Sequence, residues 1–406
     1  MEQVAITGVG VISALGSGFD SFTEGLDTGR WVVEPAPWAD PPSGRHAWIS
    51  PVASFDPARW IDERVRSGTD LFAQYALAAA AQAVQDHGAD LEPERTGVVI
   101  GTTMAGAGSL VEAQRLLDTK GPQAVPRKLN IQAWPNMAAG QIALRWRLHG
   151  PLLTVSTACA SGLDAIGTAA EMIESGRADV VIAGGTERGL SEVLYHSQTA
   201  YGMSGVVSDP ALATMPFDRR RSGLVEGEGA AVVVLERADR ARARGARVYG
   251  LLRGYASLSD GYHPSSPDPS GRWEAEAMRR AQRHADLGPD DIRAVVAHAT
   301  STPKGDSVEI TAINEVFGRR GDSLHVTSVK GNVGHTGAAS GAMGVLVALH
   351  AMATGRLPHI PTTSQVEEGA DFSVVVGSPA VGDFDRVQVN AFGFGGQNCS
   401  VVLERP

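Results

Sequence analysis

A chain of 406 residues that is 43% hydrophobic and 20% charged, with 48 glycines, has material for a large core and many tight turns; these proportions exclude a disordered chain or a fibre. The formal net charge of −10 argues against general nucleic-acid binding, because phosphates need a basic face to displace their counterions. Two cysteines, Cys159 and Cys399, cannot build a disulfide framework, and without a CxxC or Cys/His cluster no metal is expected.

The start, MEQVAITGVGVISALG, has no basic segment before its apolar run, and no stretch reaches the roughly 20 uninterrupted apolar residues of a membrane span. A cytoplasmic protein is expected. VAITGVGVIS reads as a strand, and residues 34–52, rich in Pro, Ser and Trp, read as a surface excursion. Residues 71–103 follow as an amphipathic helix, an acidic Pro turn, an apolar strand and a small polar loop. Residues 155–176 give a β-rich start, then a long helix of small residues ending in Gly.

The same elements then return. After the charged run ERADRARARGAR, VYGLLRGYASLS matches the opening strand, residues 274–302 match 71–103, and residues 326–355 match 155–176. Two halves, 1–245 and 246–406, are expected, with residues 262–272 as a second surface excursion. Strands alternating with helices imply parallel-type sheets under helices, and helices of Ala, Gly and Ser can lie between two sheets. The fold class expected is α/β, a duplicated five-layer αβαβα core.

Chemistry enters at STACASGLDAIGTAAEMI, where Cys159 sits between a β-branched run and a helix. A thiol there faces the positive end of the helix macrodipole, which favours the thiolate nucleophile. A lone cysteine is also readily a small buried hydrophobe. Three further segments change the weighing. In VVAHATSTPKGDSVEI, His298 leaves a strand ahead of Thr300, Thr302, Asp306 and Glu309. In SVKGNVGHTGAASGAMG, Lys330 and His335 occupy the place in the second half that Cys159 holds in the first. A duplicated fold brings such equivalent elbows together, so Cys159 and His335 are expected to share a pocket. In VQVNAFGFGGQNCSVVLE, residues 392–396 form a flexible turn, which a plain hairpin also explains.

Together these segments resemble the elongating β-ketoacyl-[acyl carrier protein] synthases of the thiolase superfamily. STACASG, PFDRRRSGLVEGEGAAVVVLE, HATSTPKGD, SVKGNVGHTGAASG and NAFGFGGQN stand in that family's order and span nearly the whole chain. The resemblance implies a thiolase-like fold, a homodimer or a heterodimer with a chain-length-factor-like subunit, and substrates carried on the 4'-phosphopantetheine of an acyl carrier protein. No cofactor bound by the chain, nucleic acid or membrane is implied. It implies acylation of Cys159 under the backbone N–H groups of Cys159 and Phe394, and decarboxylation of malonyl carrier protein beside His298 and His335, both presenting N–H groups to the thioester oxygen. Lys330 beside Glu309 would hold the histidine tautomers, and Phe394 would gate acyl access between its flanking glycines. Thr300, Thr302 and Ser265 would meet the pantetheine arm, and Met104 and Phe392 the acyl group. Arg64, Arg66, Arg127 and Lys128 would form a basic patch for the acidic carrier protein.

Ala299, Gln397, Pro264 and the GTERGL loop depart from the family pattern near the acyl channel. SGLDAIG resembles type II polyketide ketosynthase subunits, whereas HATSTPKGD resembles fatty-acid elongation enzymes, so both pathways stand. A non-catalytic chain-length partner would lack the nucleophile. A thiolase acting on coenzyme A would need a second reactive cysteine, and Cys399, in the apolar strand CSVVLE, reads better as core.

Overall fold

A computed structural model describes residues 3–38 and 46–406. The first half contributes β1 (Val4–Ser13), α1 (Leu71–His87), β2 (Thr96–Gly101), α2 (Met137–Trp146), β3 (Leu152–Val155), α3 (Ser161–Glu174), β4 (Val180–Arg188) and β5 (Glu226–Arg237). The second contributes β6 (Gly250–Ser259), α4 (Arg272–His284), β7 (Ala294–Val296), α5 (Pro303–Phe317), β8 (Gly321–Thr327), α6 (Ser340–Thr354), β9 (Arg386–Gly393) and β10 (Gln397–Glu404).

The strands run β3-β2-β4-β5-β1 in one half and β6-β10-β9-β7-β8 in the other, with Phe372–Val374 added beyond β8. Read outward from β1 and from β6, the two orders are identical, which is the spatial form of the sequence repeat. The half-sheets meet where β1 and β6 pair antiparallel over Val4↔Leu252, Ala5↔Leu251 and Ile6↔Gly250. They are mixed rather than parallel. Strands β2, β3 and β4 are parallel, as are β7, β8 and β9, but β4–β5 and β9–β10 are antiparallel. The cause at β9–β10 is local: three residues, Phe394 to Gly396, close a hairpin, and a parallel pair would need a long crossover.

Strand alternation produces the layers. On β5, Ala231, Val233 and Leu235 face a core shared with α3 and α6, while Ala230, Val232 and Val234 face α1 and α2. On β10, Cys399, Val401 and Leu403 face that same central core, while Val402 faces α4 and α5. The order is therefore α1/α2, half-sheet, α3/α6, half-sheet, α4/α5. Small residues let the central helices touch: a Cβ on Gly341 would stand 2.7 Å from Leu163 Cβ, and one on Gly162 would collide with the carbonyl of Ala338. The segment Gly337–Thr354 is long and apolar enough by composition to cross a membrane, and 83% of it is buried inside the fold.

Two readings of local structure change. Residues 72–83 of α1 are buried all round, not on one face, because the helix lies between β1, β5 and α2; α4 keeps the one-sided pattern. The excursion at 34–52 contains the strand His46–Ser50, which pairs with β5 at Ile49↔Glu226 and buries Ala47 and Ile49; residues 39–45 lie outside the described residues. Residues 262–272 are a largely exposed excursion, with Tyr262 57% accessible.

Candidate active site

The turn between β3 and α3 is tight. Ala158 takes φ 50°, a left-handed conformation that costs a non-glycine residue energy and is retained where the fold over-determines it. Ser161 stabilises the turn by donating to the Ala158 carbonyl at 2.5 Å and accepting from Thr157 N–H at 2.9 Å. Asp164 accepts from the Thr157 hydroxyl at 2.5 Å and from Tyr255 at 3.1 Å. Cys159 is thereby fixed at the mouth of α3.

The second-half elbow arrives opposite it. His335 Nε2 lies 2.9 Å from Cys159 Sγ, and His335 Nδ1 lies 3.1 Å from Ser340 Oγ. Its backbone is strapped to the start of β5, donating to Val225 O at 2.7 Å and accepting from Gly227 N–H at 2.9 Å. His298, at the exit of β7, stands edge-on to His335 with ring centroids 5.6 Å apart at 89°, and its other side meets Phe392 at 5.7 Å. His298 Nδ1 is buried without a hydrogen-bond partner, a cost usually retained for function.

Lys330 and Glu309 act on the His298 main chain and not on the ring tautomers. Glu309 accepts from His298 N–H at 2.9 Å and Ala299 N–H at 2.7 Å, while Lys330 Nζ donates to the His298 carbonyl. The clamp works because α5 starts only five residues after His298, bringing Glu309 back over the loop. No imidazole nitrogen touches either charge, and His335 Nδ1 is held by Ser340.

Electrostatics also differ from the dipole expectation. Burial pushes the Cys159 thiol up to about 12, with the Lys330 charge pulling the other way. Desolvation is the largest influence, so the thiol is harder to ionise than a free one. Burial, then Lys330, lowers His335 to about 3, and burial holds His298 well below the ordinary imidazole range. Both rings are neutral at pH 7. Lys330 falls to about 8 by burial, opposed by Glu309.

The β9–β10 hairpin closes on the elbow. A Cβ on Gly393 would stand 2.7 Å from Thr157 O and 3.1 Å from Cys159 N, so the turn carrying Phe394 lies directly against the Cys159 loop. Phe394 is 44% exposed, and Gly395 and Gly396 take φ 85° and 77°, so the glycines shape the turn. Gly395 N–H donates to Pro264 O at 2.8 Å, tying the departure at Pro264 to this hairpin.

The remaining positions scatter in quality. Thr300 and Thr302 hydroxyls face each other at 2.9 Å beside α5. The Ser265 hydroxyl meets that of Tyr201, and either oxygen can be the donor, so Ser265 keeps the capacity to bond a pantetheine amide. Met104 is half-buried, its N–H on the buried carboxylate of Glu187 at 3.0 Å. Lys128 lies over Gly68, 3.1 Å from where a Cβ would be, beside the turn carrying Arg64 and Arg66. Arg66 is paired with Glu63; Arg64, Arg127 and Lys128 are exposed. Cys399 is buried, paired in register with Ser257, its thiol at Asp164. Among the described residues no His, Cys, Asp and Glu group has a metal-ligating arrangement.

Sequence reasoning missed Ser340, Asp164, Glu187 and Glu226. Glu187 gathers Thr103 N–H and Met104 N–H at 3.0 Å and Ala338 N–H at 3.4 Å, joining the loop after β2 to the second-half elbow. Glu226, next to Val225, rises to about 8 through burial and then the Glu187 charge. Polar residues inside runs of Gly and Ala were the available signal for Ser340.

Residues 1–241 match the Beta-ketoacyl synthase, N-terminal domain, and residues 249–364 the Beta-ketoacyl synthase, C-terminal domain. The chain is 34% identical to 3-oxoacyl-[acyl-carrier-protein] synthase 2 of Coxiella burnetii, over 100% of this chain and 99% of that protein. It is 35% identical to a protein of Streptomyces cyaneus named as a polyketide beta-ketoacyl synthase, over 100% and 98%. Among solved structures, the ishigamide ketosynthase/chain length factor superposes with a TM-score of 0.92 at 29% identity, covering 100% of this chain and 99% of that one. A beta-ketoacyl synthase of Burkholderia phymatum STM815 gives 0.91 at 33% identity, covering 100% of both. The duplicated layers and the Cys–His–His pocket are those of a condensing enzyme of thiolase-like fold. The chain belongs to the beta-ketoacyl synthase family, as a β-ketoacyl-[acyl carrier protein] synthase.

Proposed function

We propose that this enzyme carries an acyl group on Cys159 and joins it to the carbanion released from malonyl-[acyl carrier protein], giving β-ketoacyl-[acyl carrier protein] and carbon dioxide. The observation that carries the assignment is the 2.9 Å contact between Cys159 Sγ and His335 Nε2, with His298 edge-on behind it. His335 takes the thiol proton as sulfur attacks the incoming thioester, and the proton leaves with the pantetheine sulfur. The N–H groups of Cys159 and Phe394 hold the oxyanion, a donor worth a few kcal/mol of barrier in such sites. His298, neutral and pinned by Lys330 and Glu309, offers a ring N–H to the malonyl thioester oxygen, where the enolate forms. Its carbon attacks acyl-Cys159 and releases the sulfur.

Thr300 and Thr302 line the pantetheine arm's approach in this reading, and Met104 and Phe392 meet the acyl group. The carrier protein docks on Arg64, Arg66, Arg127 and Lys128, and supplies the phosphopantetheine; the chain holds no cofactor of its own. A second subunit, a copy or a chain-length-factor-like partner, covers the edge strand β3, where Leu152 and Leu153 are exposed beside Leu144 and Trp134. The halves 1–245 and 246–406 act as one unit, since the pocket takes Cys159 from one and both histidines from the other. The apolar helix being spent on the core supports a cytoplasmic enzyme.

Type II polyketide or related specialised biosynthesis is the favoured setting, on SGLDAIG and the departures at Ala299, Gln397 and Pro264. Primary fatty-acid elongation is the second reading, favoured by HATSTPKGD. Purified enzyme given malonyl carrier protein with either saturated acyl or β-ketoacyl carrier protein tests both. Carbon dioxide release with a carrier-bound product two carbons longer is expected, faster from the β-ketoacyl donor. No chain extension from either donor overturns the condensation, and preference for the saturated donor overturns the polyketide setting.

A further inference from the structure

Behind the reacting pair lies a chain of polar groups with a single direction. His335 Nδ1 is 3.1 Å from Ser340 Oγ, Ser340 Oγ is 3.0 Å from Thr336 Oγ1, and Thr336 Oγ1 is 3.6 Å from Met343 Sδ. His335 is 5% exposed, Ser340 3%, and Thr336 and Met343 0%, so water does not compete for these groups. A thioether has no proton and can only accept. Thr336 O–H therefore points to Met343, which leaves its oxygen to accept from Ser340. Ser340 O–H is spent on Thr336, which leaves its oxygen to accept from His335 Nδ1–H. With the proton on Nδ1, His335 Nε2 carries a lone pair, and that lone pair faces Cys159 Sγ at 2.9 Å. In this arrangement all four contacts are made at once. Turning the chain round gives up the contact to Met343 and puts an N–H, not a lone pair, against the thiol.

We infer that Ser340, Thr336 and Met343 form a positioning relay that fixes His335 in the Nδ1–H tautomer and so makes it the base for Cys159 in the acylation half-reaction. This rests on the reading of Cys159 as nucleophile. In that step the Sγ–H bond breaks as the bond from sulfur to the acyl carbon forms, and the proton moves to Nε2. The carbonyl collapses, the bond to the pantetheine sulfur breaks, and that sulfur takes the proton from Nε2, restoring the tautomer. Ser340 touches no reacting atom. The relay assigns unequal roles to two histidines that the expectation treated as equal donors: His335 accepts first, and His298 donates to the enolate.

Iodoacetamide alkylation of Cys159 across pH, and malonyl carrier protein decarboxylation by the already alkylated enzyme, separate the two half-reactions. Wild type is expected to alkylate readily at pH 7. Ser340→Ala is expected to slow alkylation by about tenfold or more at pH 7, and its rate should climb roughly tenfold per pH unit toward alkaline values, as an unassisted thiol ionises. Decarboxylation should change by less than about threefold. Ser340→Thr keeps the hydroxyl and should restore alkylation to within about threefold of wild type. Thr336→Val frees Ser340 to donate to Nδ1, so it should also slow alkylation, and it carries the test if Ser340→Ala melts at assay temperature. Wild-type rates and pH profile in both Ser340→Ala and Thr336→Val overturn the relay, as does an equal fall in both half-reactions. Wild-type Cys159 that resists iodoacetamide, or alkylated enzyme that still condenses, overturns the nucleophile reading itself.

Discussion

The two elbows that face each other occupy equivalent places in the repeat, yet they are built differently. Between β3 and α3 the chain turns within 156–160, a strained Ala158 sets the angle, and the reactive atom is delivered by shape. Between β8 and α6 it takes 328–339, inserting a helical turn, Lys330–Val333, and a left-handed Gly334 before His335. The extra length brings a lysine to the His298 carbonyl, while Ser340, opening α6 as Ser161 opens α3, stands behind the imidazole. Duplication thus supplied the meeting place, and divergence in loop length supplied the different surroundings from which the proposed nucleophile and base roles are drawn.

That contrast is broken most severely at Cys159. Cys159→Ala is expected to abolish condensation by about 10⁴-fold or more, read as β-ketoacyl product per unit time, since the covalent route disappears. His335→Ala should cost about 10² to 10⁴-fold, concentrated in the acylation burst. Lys330→Met leaves the His298 carbonyl and the Glu309 carboxylate without their cation. It should lower unfolding stability on the order of 3 kcal/mol in urea titration, with activity falling as His298 loses its place. Gly393→Ala drives a methyl against Thr157 O and Cys159 N and should cost about 1–3 kcal/mol as the hairpin lifts, measurable by the same titration.

The smallest effect concerns pH. Glu226 in the folded protein rises to about 8, above its ordinary value of 4.5, so the folded state holds a proton that the unfolded chain releases between those limits. Its contribution is complete below pH 4.5 and is lost as pH rises through 8. Glu226→Gln should therefore raise the melting temperature more at pH 8 than at pH 5, by on the order of 2 °C in scanning calorimetry.

Much of this was legible in the residues. The repeat pointed to two matching halves and five layers, and Cys159, His298 and His335 were each marked by a strand running into a loop of small residues. The antiparallel partners were not legible from alternation alone, although the three-residue turn at Phe394 held the clue. The buried character of α1 was hidden because its Ala-rich sequence suits either one packed face or two, whereas the arginines of α4 leave only one. The role of Lys330 and Glu309 could not be read because it depends on main-chain groups of His298, which sequence pattern does not display. Ser340 and Thr336 were visible as polar residues in an otherwise apolar stretch, but their meaning required the sulfur of Met343 beneath them. The acidic pair Glu187 and Glu226 lies far apart in the chain and meets only through the fold.

One measurement bears most directly on the central claim. Enzyme mixed with acyl carrier protein thioester, quenched in acid and digested, should yield the peptide containing Cys159 with the acyl mass added, and that mass should disappear when malonyl carrier protein is supplied. An unmodified Cys159 peptide, an adduct on Cys399, or an adduct that persists in the presence of malonyl carrier protein would contradict it.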